Sequence, residues 1–98
     1  MSSKVDLYLQ YLTETKQQGT IIILETENKL LELKVSELQK QIDGNIQSIK
    51  SITEDKVKNH MELNIKELEL RIMELTTKAR LNIIMITRIN TSINNLKV

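Results

Sequence analysis

Few side chains in this 98-residue sequence are suited to catalysis or metal binding, and their spacing does not group them into a site. His60 is the only histidine. On a helix it lies one turn from Lys56 and Asn64, with no carboxylate three or four residues away, so it lacks the partners that a catalytic base or a zinc site needs. Glu67 and Glu74 lie on the outer side of a predicted helix, where no cleft raises a carboxyl pKa. The sequence therefore predicts no catalytic residue and no metal ligand.

The remaining chemical motifs are missing as well. The chain has no Cys, which excludes disulfides, thiolate metal sites and a cysteine nucleophile. It has two glycines and no glycine-rich phosphate loop. We expect a protein that is not an enzyme and that binds no cofactor.

The composition is typical of long helices and not of a compact globule. Aromatic residues make up 2% of the chain, with no Phe and no Trp, so little is available to fill a wide core. Pro is absent, so regular helix can continue over long distances. Charged residues of both signs make up 28% and leave a net charge of +1, which is typical of a solvated helix surface. At this length the chain forms one domain at most.

The feature around which the chain is organised is a heptad pattern over residues 21–52, which we call the first seam. Alternating steps of three and four residues keep these side chains on one stripe of a helix, and the stripe needs another helix to exclude water. Its positions are Ile21, Leu24, Asn28, Leu31, Val35, Leu38, Ile42, Asn45, Ile49 and Ile52. The residue types favour a parallel two-stranded coil, with Asn28 selecting the register. Glu27 would face Glu32 of an identical parallel chain, which argues weakly against a homodimer.

A second seam follows, out of phase with the first. Its positions are Met61, Ile65, Leu68, Ile72, Leu75, Ala79, Asn82, Ile86, Ile89, Ile93 and Leu96. Continuing the first seam beyond Ile52 with the same steps of four and three would place Lys56 and Asn59 on the buried stripe. The sequence therefore predicts a register shift or a turn within residues 53–60.

Two arrangements explain this shift. In the first, one continuous helix absorbs it by local unwinding, and two parallel chains form a rod of about 140 Å. In the second, the chain folds back about residue 55, with Ser51 and Glu54 as a capping box for the returning helix. Both arrangements are all-α and both are long coiled coils.

The folded-back arrangement makes specific pairings. Asn28 would lie level with Asn82, and the apolar clusters 21–24 and 83–86 would cover each other. Against it, the proposed turn contains no Gly or Pro. We place the parallel dimeric rod slightly ahead of an antiparallel helical hairpin or a small helical bundle.

Four segments are predicted along the chain. They are a short N-terminal helical segment (1–19), a first coiled-coil segment (20–52), a register shift or turn (53–60), and a second coiled-coil segment with a basic C-terminal end (61–98). Gly19 could separate the first segment, and Asp43, Gly44 and Asn45 form the strongest local helix breaker. No apolar run approaches the ~20 residues that span a bilayer, and no signal peptide is apparent, so we expect a soluble, intracellular protein.

The seams predict an interaction protein. The leading hypothesis is a coiled-coil oligomerisation or scaffold module, or a small helical subunit of a larger assembly, whose partners are itself or other helical proteins. The alternative is an adaptor for a membrane surface or a partner groove, which would act through the basic helix 75–98 and a docking face of Lys78, Arg80 and Arg88. Cations that complement a helix C-terminus explain this composition more simply. Nucleic-acid binding is not expected, because residues 4–20 lack the dense Arg and Lys run of a DNA-binding zipper.

Overall fold

The computed structural model describes residues 3–96 and contains two long helices, α1 (Ser3–Ile49) and α2 (Asp55–Leu96). Gln17 bonds Ser92 and Asn82 bonds Asn28, so early residues of α1 meet late residues of α2 and the helices are antiparallel. The hairpin is 81 Å long and 14 Å across in both other directions. No strand occurs between residues 3 and 96. The all-α prediction is confirmed.

The chain folds back on itself, as in the arrangement that the sequence analysis placed second, and it does not form the continuous parallel rod placed first. The turn occupies residues 50–54 and so begins earlier than the predicted 53–60. A short turn lets the two seams cover each other within one molecule, and closing so short a loop costs little entropy. The out-of-phase seams are thus the two sides of one intramolecular interface.

The turn is held by local hydrogen bonds. The Ser51 backbone N–H donates to the Ser48 carbonyl at 3.2 Å, and the Ser51 hydroxyl donates to the same carbonyl at 3.0 Å. The Glu54 carbonyl accepts from the Lys58 N–H at 3.0 Å, which is the first helical bond of α2. Ser51, two residues beyond α1, therefore bonds a carbonyl of its last turn, and Glu54 is the residue immediately before α2. This division of roles replaces the capping box predicted from these two residues.

α1 is continuous through Gly19 and Gly44, the two positions at which local residue types favour a break, and the heptad pattern predicts continuity through Gly44. Gly19 and Gly44 lie inside the helix, and no residue of the described chain has a positive φ. A glycine costs a helix about 1 kcal/mol, which packing on either side can offset. Ile42, which is 3% exposed, and half-buried Ile49 provide that packing around Gly44. The N-terminal segment 1–19 is therefore not separate over its described residues.

Replacing Gly44 by Ala should stabilise the hairpin. A Cβ added at Gly44 meets nothing within 4 Å, and the backbone there is helical. We expect Gly44→Ala to raise the free energy of unfolding by about 0.5–1 kcal/mol, because Ala loses less conformational entropy on helix formation. Urea unfolding followed by circular dichroism measures the change. Gly44→Pro is the control and should destabilise by about 3 kcal/mol; an unchanged or lower stability in the Ala variant would contradict the expectation.

Candidate functional site

The two predicted seams face each other inside the hairpin. All of their residues are buried or half-buried. The buried ones are Leu24, Leu38, Ile42, Leu75, Asn82 and Ile93. The half-buried ones are Ile21, Asn28, Leu31, Val35, Asn45, Ile49, Ile52, Met61, Ile65, Leu68, Ile72, Ala79, Ile86, Ile89 and Leu96. The seams therefore hold together the two helices of one chain, and another molecule would have to contact side chains outside them.

Two asparagines form a polar layer across the middle of this interface. The Asn82 side-chain amide, 6% exposed, donates to Asn28 Oδ1 at 2.8 Å. Asn28 Nδ2 in turn donates to the Ala79 carbonyl at 3.2 Å. The pairing of Asn28 with Asn82 is the one that the folded-back arrangement predicted. Since a buried amide without a partner costs about 1–3 kcal/mol, this layer disfavours any other register of α1 against α2.

An ion pair flanks the asparagine layer on the surface. Lys78 Nζ lies 3.2 Å from Glu27 Oε1, and the Glu27 side chain is 35% exposed. The Lys78 ammonium, and after it the Asn82 amide, lower the pKa of Glu27 below its ordinary value of 4.5, although desolvation acts in the opposite direction. Folding of the hairpin therefore favours the ionised form of Glu27.

This pKa shift predicts a contribution of Glu27 to acid sensitivity. Because the folded-state pKa is lowered, its stabilising effect is fully present above the unfolded value of 4.5 and is lost as the pH falls through the folded value. We expect the melting temperature to fall on acidification below 4.5, and to fall less steeply in Glu27→Gln. Thermal melts across that pH range measure both slopes. Glu25→Gln is the matched control, since Glu25 is exposed; equal slopes in wild type and Glu27→Gln would contradict the assignment.

The N-terminal third of α1 turns polar side chains toward α2, which the sequence analysis missed. Half-buried Gln10, Glu14 and Gln17 continue the steps of three and four backward from Ile21. Gln17 Nε2 donates to Ser92 Oγ at 3.0 Å, and Gln10 Nε2 donates to the Leu96 carbonyl. The spacing signals these positions, but a heptad pattern defined by apolar residues alone omits them. This part of the interface therefore combines polar contacts from α1 with the buried Ile93 of α2.

The apolar side chains of α1 that lie outside its seam point away from α2. Eight of them define what we call the outer face of α1, and they are 44–67% exposed. They are Val5, Tyr8, Leu9, Leu12, Ile22, Ile23, Leu30 and Leu33. Most of them also recur at steps of three and four, with Lys16, Gly19 and Thr26 at the intervening positions. α1 is therefore apolar on two opposite sides, and only one of them contacts α2.

Exposed apolar residues on α2 are more scattered. They are Val57, Leu63, Leu70, Met73, Leu81, Ile83, Ile84 and Met85, at 40–64% exposure. The clusters 21–24 and 83–86 lie at the same level along the long axis of the hairpin. They do not cover each other as predicted, because Ile23 is 67% and Ile83 55% exposed. Only one stripe of each helix fits between two helix axes, so the additional isoleucines remain outside.

The three predicted docking cations do not form one free basic face. Lys78 is paired with Glu27 beside the seam. Arg80 and Arg88 are exposed on α2, with Leu81 and Ile84 between them in sequence. The segment thus presents two exposed arginines and a short apolar surface.

The residues that could do chemistry lie on the surface. His60 is exposed and lines an open depression near the turn with Lys56, Val57 and Leu63. Within residues 3–96, no three His, Asp or Glu side chains are placed to hold a metal ion. Neither helix, over its described residues, contains an apolar stretch long enough to cross a membrane.

Comparisons with known proteins add no assignment to these surfaces. No protein-family model, no curated protein and no solved structure matches the chain. The exposed faces of the hairpin are therefore the surfaces from which a function can be inferred.

Proposed function

We propose that the protein is a structural interaction module, in which a helical hairpin binds other helices through its outer apolar faces. It would act as an oligomerisation or scaffold element, or as a small helical subunit of a larger assembly. The observation that carries this proposal is the imbalance of apolar side chains among the described residues. Nineteen large apolar side chains are at least 40% exposed, whereas five apolar side chains are buried.

Two helices by themselves bury too little apolar surface to cover both sides of α1. A helix with one apolar stripe can satisfy it against a single neighbour, but a helix that is apolar on two sides needs a second neighbour. Large contiguous apolar patches on a protein surface are typical of interaction sites. The outer face of α1 is of this kind on either side of its centre. Its residues follow one side of the helix over about 42 Å at 1.5 Å per residue, with Lys16 and Gly19 between Leu12 and Ile22.

Sedimentation equilibrium of the purified chain tests the proposal. The monomer has a mass of 11.4 kDa, and we expect a larger, concentration-dependent mass together with high helicity by circular dichroism. Association and helicity should decrease together on dilution, because each depends on covering the apolar faces. A stable, fully helical monomer at every concentration would contradict the proposal, since such a hairpin would not require partner helices.

A second candidate function is docking to an anionic membrane surface through residues 75–98. It is favoured by the exposed Arg80 and Arg88 beside the exposed Leu81 and Ile84. If it holds, anionic liposomes should sediment the wild type, and Arg80→Glu with Arg88→Glu should abolish sedimentation. Lys56→Glu with Lys58→Glu at the turn is the matched control and should sediment like the wild type. Failure of the wild type to sediment would remove this candidate.

A further inference from the structure

We propose that the outer face of α1 binds a second copy of this chain, with the two α1 helices antiparallel and crossing near Gly19. The inference rests on the proposed function and adds the identity of the partner, the face that it occupies and its direction. Four observations carry it: the direction in which α1 turns its apolar residues, the symmetry of the outer face, its charges and its area.

The first observation is that the seam determines the rotation of α1 about its own axis. Leu24, Leu38 and Ile42 are 3–8% exposed and must face α2. Because α1 is one continuous helix, this rotation is transmitted to its N-terminal third, where Gln17 faces α2 and Leu12 faces outward. If α1 packed only against α2, apolar residues on its inner side and polar residues on its outer side would bury more apolar surface. The N-terminal third is therefore suited to a neighbour on its outer side.

The second observation is that the two ends of the outer face match when the face is read in either direction. Val5 and Leu33 each lie 14 residues from Gly19. Leu9 and Leu30 lie ten and eleven residues from it on opposite sides, and both are more than 50% exposed. A twofold axis near Gly19 therefore places apolar residues of one copy against apolar residues of the other at both ends of the face, whereas Leu12 lies opposite Thr26 nearer the axis. Self-complementarity of this kind is what a two-fold symmetric interface requires.

The third observation concerns charge. The outer face itself is interrupted by only one charged residue, Lys16, which lies near its centre. With the crossing at Gly19, the antiparallel arrangement places Lys16 of one copy opposite Ile22 of the other, since each lies three residues from Gly19. A parallel arrangement would instead place Lys16 against Lys16. Avoiding this like-charge contact favours the antiparallel direction.

The fourth observation is the size of the face. Covering its eight apolar side chains, each 44–67% exposed, would remove on the order of 800 Å² from each copy, which is the area per partner in a stable interface. The corresponding side of α2 is less suited, because Lys66 lies between its exposed Leu63 and Leu70 at helical spacing, and Arg80 and Arg88 are exposed further along the helix. Of the two helices, α1 thus offers the more continuous apolar surface.

A single introduced cysteine tests both face and direction, because the chain has no Cys of its own. Gly19 and Gly44 are matched positions, since both lie in α1 and an added Cβ meets nothing within 4 Å at either. Under mild oxidation at a concentration where the wild type is associated, we expect Gly19→Cys to form a covalent dimer. Gly44→Cys should stay uncrosslinked, since about 75 Å would separate its two copies at 1.5 Å per residue. Crosslinking of both variants would show parallel helices and overturn the proposed direction.

A charge-introducing pair of variants tests the face independently. We expect Leu12→Glu with Ile23→Glu to give a helical monomer in sedimentation equilibrium, because both side chains lie outside the hairpin interface. Leu70→Glu with Met73→Glu, on the outer side of α2, is the control and should remain a dimer. Suppose that the wild type associates, but Gly19→Cys does not crosslink and Leu12→Glu with Ile23→Glu remains associated. This inference is then overturned and the proposed function stands. A wild type that is a stable monomer overturns both.

Discussion

Ile42→Ala should lower the free energy of unfolding by about 2–4 kcal/mol, the largest effect we expect from one substitution. Ile42 is 3% exposed, the least of any apolar side chain among the described residues, and it lies close to the turn. Truncation removes apolar area from the interface and leaves a cavity that two nearly straight helices cannot close by moving together locally. Urea unfolding followed by circular dichroism at one fixed protein concentration measures the loss.

Ile46→Ala is the matched control for this prediction. It makes the same change one helical turn further along α1, at a side chain that is 43% exposed. Both variants gain the same helix propensity, so the difference between them reports burial alone. We expect Ile46→Ala to stay within about 0.5 kcal/mol of the wild type. Similar losses of unfolding free energy in the two variants would mean that a buried seam residue near the turn stabilises the hairpin no more than an exposed one.

Asn82→Leu should destabilise the hairpin by about 1–3 kcal/mol although it adds apolar surface to a buried position. The reason is that Asn28 Oδ1, which accepts a 2.8 Å hydrogen bond from Asn82, would face a leucine. Asn28→Leu should cost a similar amount, because the Asn82 amide, 6% exposed, would lose its acceptor. Urea unfolding of each variant measures these costs.

The double variant Asn28→Leu with Asn82→Leu should recover the loss and exceed the wild-type stability. Replacing both partners removes the unpaired groups and buries apolar area in their place. The cost should instead appear as a loss of specificity: without the asparagine layer, the helices can pair in shifted registers or between chains, and a mixture of oligomer sizes should replace a single one. A double-mutant cycle with strictly additive effects, or a single unchanged oligomer size, would contradict a register-selecting role.

Much of the helix interface could be read from spacing. Steps of three and four residues are a property of the α-helix itself, so they determine which side of each helix is apolar before any partner is considered. The side chains from Ile21 to Ile52 and from Met61 to Leu96 that follow these steps are all at least half-buried. The same spacing contained Gln10 and Gln17, but hydrophobicity alone does not reveal a polar interface. The residues that could do chemistry, such as His60, are exposed.

Local signals for breaks were less informative. Gly44, between Asp43 and Asn45, resembles a helix end, yet the helix continues through it because Ile42 and Ile49 are packed on either side. The actual turn begins at Lys50, in a stretch without Gly or Pro. A single unfavourable residue costs about 1 kcal/mol, which is less than the packing of one buried isoleucine, so packing decided where the helix ended.

Local spacing and composition are enough to predict that the chain is helical and which stripe of each helix is apolar, because both are properties of a single helix. Helix packing establishes that the two seams cover each other within one chain, that Asn28 meets Asn82, and that the apolar residues from Val5 to Leu33 outside the seam face outward. Burying an apolar side chain yields nearly the same free energy against any helix, so a heptad pattern does not specify which helix covers it. Which helix covers each seam depends on the length of the turn and on the asparagine layer, whose hydrogen bonds are satisfied in a single register.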